Sequence, residues 1–142
     1  MMLLALAAAV VSAGETFTCT PTHVYDGDGP VWCAEGPRVR IAGIAAREMT
    51  GICRISQPCP AATAAQARDA LVDLFGGPQG TNSSGHVVVY APPIVCRSVG
   101  SAGGSRTAAW CTLSSGQDLS CAMVATGTVL KWDRYWRGHR CR

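Results

Sequence analysis

Most of this 142-residue chain alternates apolar and polar positions over short runs broken by Gly, Pro, Asp and Ser, the pattern of half-buried strands. Thr16 to Tyr25 reads as a first strand, with Phe17, Cys19 and Val24 among polar residues. The Asp-Gly pairs of Asp26 to Gly29 read as a tight turn. Val31 to Ala34 is a second strand, Glu35-Gly36 a second turn, and Arg38 to Ile44 a third strand. In the third strand Val39 and Ile41 share one face while Arg38 and Arg40 share the other. Val87 to Ala91 and Thr107 to Leu113 read as a fourth and a fifth strand, with Pro92 to Ser105 as a long connection. Two stretches change to helical spacing. Ala64, Ala67, Leu71 and Leu74 recur between Pro60, which suits a first helical turn, and the stop at Gly76-Gly77-Pro78. Leu119 to Thr126 follows the capping residue Asp118 and ends at Gly127, with Leu119, Ala122 and Met123 toward the core.

This order predicts an α+β, mainly β chain. It matches a five-stranded OB-fold barrel with one helix between strands 3 and 4 and a short helix after strand 5, a fold that commonly binds oligonucleotides. The length suits one domain, expected to span 14–142. Met1 to Ala13 reads as a secretory signal, with an apolar run from Leu3 to Val11 and small residues at Val11-Ser12-Ala13. That run is far shorter than the roughly 20 apolar residues of a membrane span. The expectation is a secreted or periplasmic bacterial protein, monomeric and free of the membrane once mature.

Eight cysteines in so short an exported chain point to disulfides. No CxxC pair occurs, and His23, His86 and His139 show no zinc-ligand spacing with the cysteines. Cys19 and Cys33 fall on adjacent strands. Cys53 and Cys59 sit in the loop from Met49 to Pro60, and Cys96 and Cys111 lie on opposite arms of the long connection. Cys121 on the last helix then remains for Cys141 in the basic, aromatic tail.

The formal charge is +3, and eleven of the twelve basic residues are arginines, Lys131 being the exception. Arginine suits bidentate contact with phosphate, although a GC-rich genome also enriches it. The chemistry concentrates between Asp26 and Glu48, DGDGPVWCAEGPRVRIAGIAARE. Two acids able to hold a cation, arginines able to hold phosphate and a glutamate able to act as base share one short stretch. Trp132, Tyr135 and Trp136 in the tail fit either hydrophobic packing or base stacking.

Asp26-Gly27-Asp28, Arg40-Ile41-Ala42-Gly43-Ile44 and Glu48 resemble the staphylococcal nuclease (thermonuclease) family, whose signature joins an Asp-Gly-Asp-Thr turn to an Arg-x-x-Gly-Ile-Asp-x-Pro-Glu run. The resemblance spans roughly Thr16 to Tyr135. It departs at Gly29 for Thr, at Ala45 for Asp and at Arg47 for Pro, and it lacks the family's long C-terminal helix. It implies the same barrel and calcium-dependent hydrolysis of single-stranded or flexible DNA and RNA. By position it makes Arg40, Glu48 and Arg106 catalytic, the arginines on phosphate and Glu48 on water. Calcium would be held by Asp28, Asp26 and the Ala46 backbone carbonyl, more weakly because Ala45 supplies no carboxylate. Tyr135 falls where the family places an aromatic near the bound nucleotide, and Arg38 and Arg47 add positive charge for substrate. The alternative is a non-catalytic module that uses the same arginine-lined face to bind nucleic acid or another polyanion.

Overall fold

The structure, a computed structural model, describes residues 9–141, so most of the expected signal segment lies outside the described residues. The chain order is β1 (Thr16–Cys19), β2 (Pro21–Val24), β3 (Val31–Cys33), β4 (Arg38–Ile41), β5 (Ile44–Ala45), α1 (Ala64–Leu74), β6 (Pro78–Thr81) and β7 (Val87–Val89). Then follow β8 (Ile94–Ser101), β9 (Arg106–Thr112), α2 (Leu119–Ala125), β10 (Leu130–Lys131) and α3 (Asp133–Trp136). Eight strands form one curled sheet in the order β1-β8-β9-β4-β3-β2-β7-β6, and β5 pairs separately with β10. The β4–β9 pair is parallel, with Arg38 opposite Arg106 and Arg40 opposite Ala108.

The sheet is open and eight-stranded, which corrects the closed five-stranded barrel expected above. Two local features account for most of the difference, and the third added strand is the exposed edge strand β6, which pairs with β7. The first predicted strand breaks at Thr20-Pro21. Thr20 gives its backbone N–H to Glu35 at 2.6 Å, and proline has none to give. The two halves then take different neighbours, β1 pairing with β8 and β2 with β3 and β7. The second feature is that Pro92 to Ser105 is not a bare connection. Ile94, Cys96 and Ser98 are buried and alternate with exposed Val95, Arg97 and Val99, so the segment forms the long strand β8.

The third predicted strand also stops early, at Ile41. Ala42-Gly43 turns the chain before Ile44–Ala45 joins β10. Gly43 has φ +76°, and a Cβ there would come within 2.5 Å of Trp110 and 2.9 Å of Trp136. Only glycine fits this turn beneath two tryptophans.

Helix α1 starts at Ala64 rather than near Pro60, because a capping box sets its end. Thr63 Oγ1 accepts from Gln66 N at 3.1 Å and Gln66 Oε1 accepts from Thr63 N at 2.9 Å. Ala64 is buried, and Ala67, Leu71 and Val72 join one core with Ile41, Ile44, Phe75, Ile94, Leu119 and Met123. Each large side chain buried there contributes about 1.5–3 kcal/mol. In α2, Leu119, Ser120 and Met123 face inward, and Ser120 Oγ donates to Ala42 O at 2.7 Å.

The cysteines pair 19–33, 53–59, 96–111 and 121–141, as expected. Cys96 and Cys111 lie directly opposite each other across β8 and β9. No helix of the described residues is long and apolar enough to cross a membrane, and four disulfides suit an oxidising compartment.

Candidate functional site

The sequence stretch of interest folds around one small turn. Asp28 N donates to Asp26 Oδ1 at 3.2 Å, and Gly29 N donates to Asp26 O at 3.1 Å. Gly27 lies against helix α1, where a Cβ would meet the Ala67 Cβ at 2.4 Å. With the turn packed this closely on α1, Asp26 is 5% and Asp28 8% exposed. Ile41 N donates to Asp28 O at 2.9 Å, which ties the turn to the end of β4.

Arg40 completes the arrangement from β4. Its Nη2 lies 3.3 Å from Asp28 Oδ2 and donates to Ile44 O at 3.0 Å, while Nη1 donates to Ile41 O at 2.8 Å. Asp28 Oδ2 also accepts from Ala46 N at 3.0 Å. One guanidinium therefore clamps the Ala42-Gly43 turn and balances Asp28. Asp26 is different. Burial, and then the negative charge of Asp28 beside it, pushes its carboxyl up to about 9, so it is protonated at neutral pH.

These residues line a cleft of about 850 Å³, walled also by the far end of the β8–β9 hairpin and by the tail. Of the residues singled out in sequence, Asp26, Asp28, Arg40, Glu48, Arg106 and Tyr135 all reach it. Glu48 is held by Arg54 Nε at 3.2 Å. Arg106 gives Nε to Gly103 O at 3.3 Å and Nη2 to Ala102 O at 3.0 Å. Tyr135 is 44% exposed and edge-on to Trp132, whose ring lies 5.9 Å from the Arg40 guanidinium carbon. With Asp26 neutral, the carboxylates of Asp28 and Glu48 face four cleft arginines, Arg40, Arg54, Arg106 and Arg137. That balance favours an anionic ligand.

Arg38 and Arg47 lie elsewhere. Arg38 stacks its guanidinium 3.9 Å over Trp32 and donates to Ser105 Oγ at 3.3 Å. It belongs to a cluster in which His23 Nδ1 and His86 Nδ1 share a hydrogen bond of 2.9 Å. Burial, then the charges of His86 and Arg38, lowers the His23 pKa. Arg47 spends its guanidinium on its own loop, donating to Gly51 O at 2.9 Å and Pro60 O at 2.8 Å. The Ala46 carbonyl accepts from Gln57 Nε2 at 2.7 Å.

Arg54, Gln57 and His139 escaped the sequence reading. Nothing local marked them, since each gains its place through a loop closure. Gln57 lies inside the ring closed by Cys53–Cys59. His139 is brought in by the tail, stacked on Trp110 at 3.7 Å between centroids, with Nε2 2.6 Å from Asp118 Oδ2. Among the described residues, Asp118, Cys121 and His139 are the one group of three potential metal ligands whose ligand atoms lie within 4.8 Å of one another. Comparison with protein-family models, with curated proteins and with solved structures finds no match for this chain.

Proposed function

We propose that this is a staphylococcal-nuclease-like protein whose cleft binds single-stranded or flexible DNA and RNA and hydrolyses phosphodiester bonds. The observation that carries this reading is convergence. Asp28, Arg40, Glu48, Arg106 and Tyr135, spread over most of the chain, line one cleft of about 850 Å³. Glu48 takes the proton of the attacking water, and Arg54 keeps its carboxylate oriented. Arg40 and Arg106 offer guanidinium N–H groups to the phosphate as negative charge builds on it. Trp132 and Tyr135 give flat faces for bases.

Calcium, the ion that the family resemblance implies, would be held by Asp26 and Asp28. Two buried carboxyls lie side by side, and a divalent cation that displaced the proton of Asp26 would gain hard oxygens from both. Bound, the ion would add positive charge facing the phosphate. Ala45 adds no oxygen, so water must complete its shell and affinity is weak.

A non-catalytic binding module is the second reading. The observation favouring it is that Asp28 Oδ2 already accepts from Arg40 and Ala46 N. One assay separates the two: degradation of single-stranded DNA and RNA in millimolar calcium against a chelator control, with binding followed in parallel. Hydrolysis that Glu48→Gln abolishes while binding persists supports the nuclease. Binding without hydrolysis in the wild type leaves the module, and neither activity overturns both.

A further inference from the structure

The second cluster of interest lies where the tail returns to helix α2. Asp118 and Cys121 sit one helical turn apart at the start of α2, and His139 and Cys141 sit two residues apart on the tail. Asp118, Cys121 and His139 present ligand atoms all within 4.8 Å of one another, and Cys141 is bonded to Cys121. Three side chains of zinc-ligating type thus meet at one point, and the disulfide joins the sulfur of a fourth, Cys141, to the Cys121 sulfur. Tetrahedral zinc, with bonds of about 2.0–2.3 Å, needs ligand atoms about 3.3–3.8 Å apart. Asp118 and His139, now 2.6 Å apart, need to part by less than an ångström. The sulfurs need to part further, and Cys141 is exposed.

We propose that the Cys121–Cys141 disulfide masks a zinc site made of Asp118, Cys121, His139 and Cys141, opened by reduction. A small-molecule thiol supplies the two electrons: two R–SH and the protein disulfide give R–S–S–R and two protein thiols. Zinc then displaces the two thiol protons and takes both sulfurs as thiolates. Cys121 is half-buried and Cys141 exposed, so the bond is reachable, whereas Cys19–Cys33 and Cys96–Cys111 are buried. The site has a structural consequence. The tail carries Trp136 and His139, which wall the cleft against Trp110. Zinc takes over the tether that the disulfide provides, so the wall stays in place in either redox state.

The test uses the full chain with Cys53→Ser and Cys59→Ser, which removes the other solvent-reachable disulfide. It is reduced with a phosphine and titrated with zinc against a chromophoric chelator, with near-ultraviolet dichroism recording the fold. One equivalent of zinc should bind at least about 100-fold more tightly than in the oxidised protein. His139→Ala and Asp118→Ala should each weaken it about 10–100-fold, the range that loss of a metal-site partner typically costs. Zinc should also restore the dichroism of Trp110 and Trp136 wherever reduction alone loosens the tail. Equal affinity in the two redox states overturns the site, as does zinc binding indifferent to His139→Ala. Reduction that unfolds the chain as readily with excess zinc as without it overturns the site too.

Discussion

Arg40 shows how one side chain serves both the site and the fold. Its hydrogen bonds reach Ile41 O, Ile44 O and Asp28, so Arg40→Ala removes a phosphate donor and also frees a turn and a buried carboxylate. Hydrogen bonds to charged groups are worth about 1.5–3 kcal/mol, and a loss of about 2–3 kcal/mol is expected in urea unfolding. Glu48 is different, since its partner Arg54 is largely exposed and such pairs contribute about 0–1 kcal/mol. Glu48→Gln should therefore leave the urea midpoint nearly in place while abolishing hydrolysis. A midpoint shift as large as that of Arg40→Ala would assign Glu48 to the fold instead.

Asp26 makes the protein sensitive to alkali. Its folded pKa lies above the unfolded value of 3.8, so its contribution is intact at low pH and is lost as pH rises toward about 9. In that window the folded state holds one proton more than the unfolded state, and stability falls by up to about 1.4 kcal/mol per pH unit. His23 acts with the opposite sign. Its lowered pKa costs stability as the medium is acidified below the ordinary histidine range. Between pH 7.0 and 8.5, where His23 is neutral in both states, unfolding free energy should drop by about 1–2 kcal/mol, and Asp26→Asn should flatten that slope. An unchanged slope in Asp26→Asn would place the titration elsewhere.

Among the elements, the turn between β4 and β5 tolerates little change. Gly43 and Gly127 both have φ +76°, but only Gly43 faces tryptophan rings, the space at Gly127 being open. Gly127→Ala should cost about 1 kcal/mol from backbone strain alone. Gly43→Ala should cost about 2–4 kcal/mol, because overpacking adds to the strain. Equal losses in thermal unfolding would show that the tryptophans yield.

Strand β5 carries Ala45, fully buried and paired with Leu130. Ala45→Asp adds a carboxylate next in sequence to Ala46, whose N–H donates to Asp28. In chelator its melting temperature should fall below wild type, and millimolar calcium should recover more of it than in wild type. Calorimetry that finds no gain in calcium affinity for Ala45→Asp would remove calcium from the proposed site.

At the scale of the whole molecule, the disulfides decide how the tail and the loops close. Cys121–Cys141 spans 20 residues and Cys53–Cys59 spans 6. Loop-closure entropy gives about 3 kcal/mol for the first and about 2 kcal/mol for the second. Serine pairs at 121 and 141 should cost more in urea unfolding than pairs at 53 and 59. They should also weaken single-stranded DNA binding, since the tail carries Tyr135, Trp136 and His139 into the cleft.

Alternation of apolar and polar residues determined the strands around Val31, Val39 and Ala109 and the buried stripe of α1. The expected cysteine pairings, drawn from adjacent strands, loop closure and the pair left over, match the four disulfides observed. Asp26, Asp28, Arg40 and Glu48 were legible because they crowd into twenty-three residues. The open curl of the sheet was not, because it depends on Glu35 taking the Thr20 N–H across a gap of fifteen residues. Nor was β8, whose inward residues include Ser98, a polar side chain whose hydroxyl donates to Val11 O from a distant segment and accepts from Gly100 N. Arg38 and Arg47 read as free cations in the sequence, yet Trp32, Gly51 and Pro60 occupy them. His139 had no ligand spacing in the chain, and only the return of the tail onto α2 sets it beside Asp118 and Cys121. A side chain's type shows what it can bind, but the competing partners that folding brings within reach decide what it does bind.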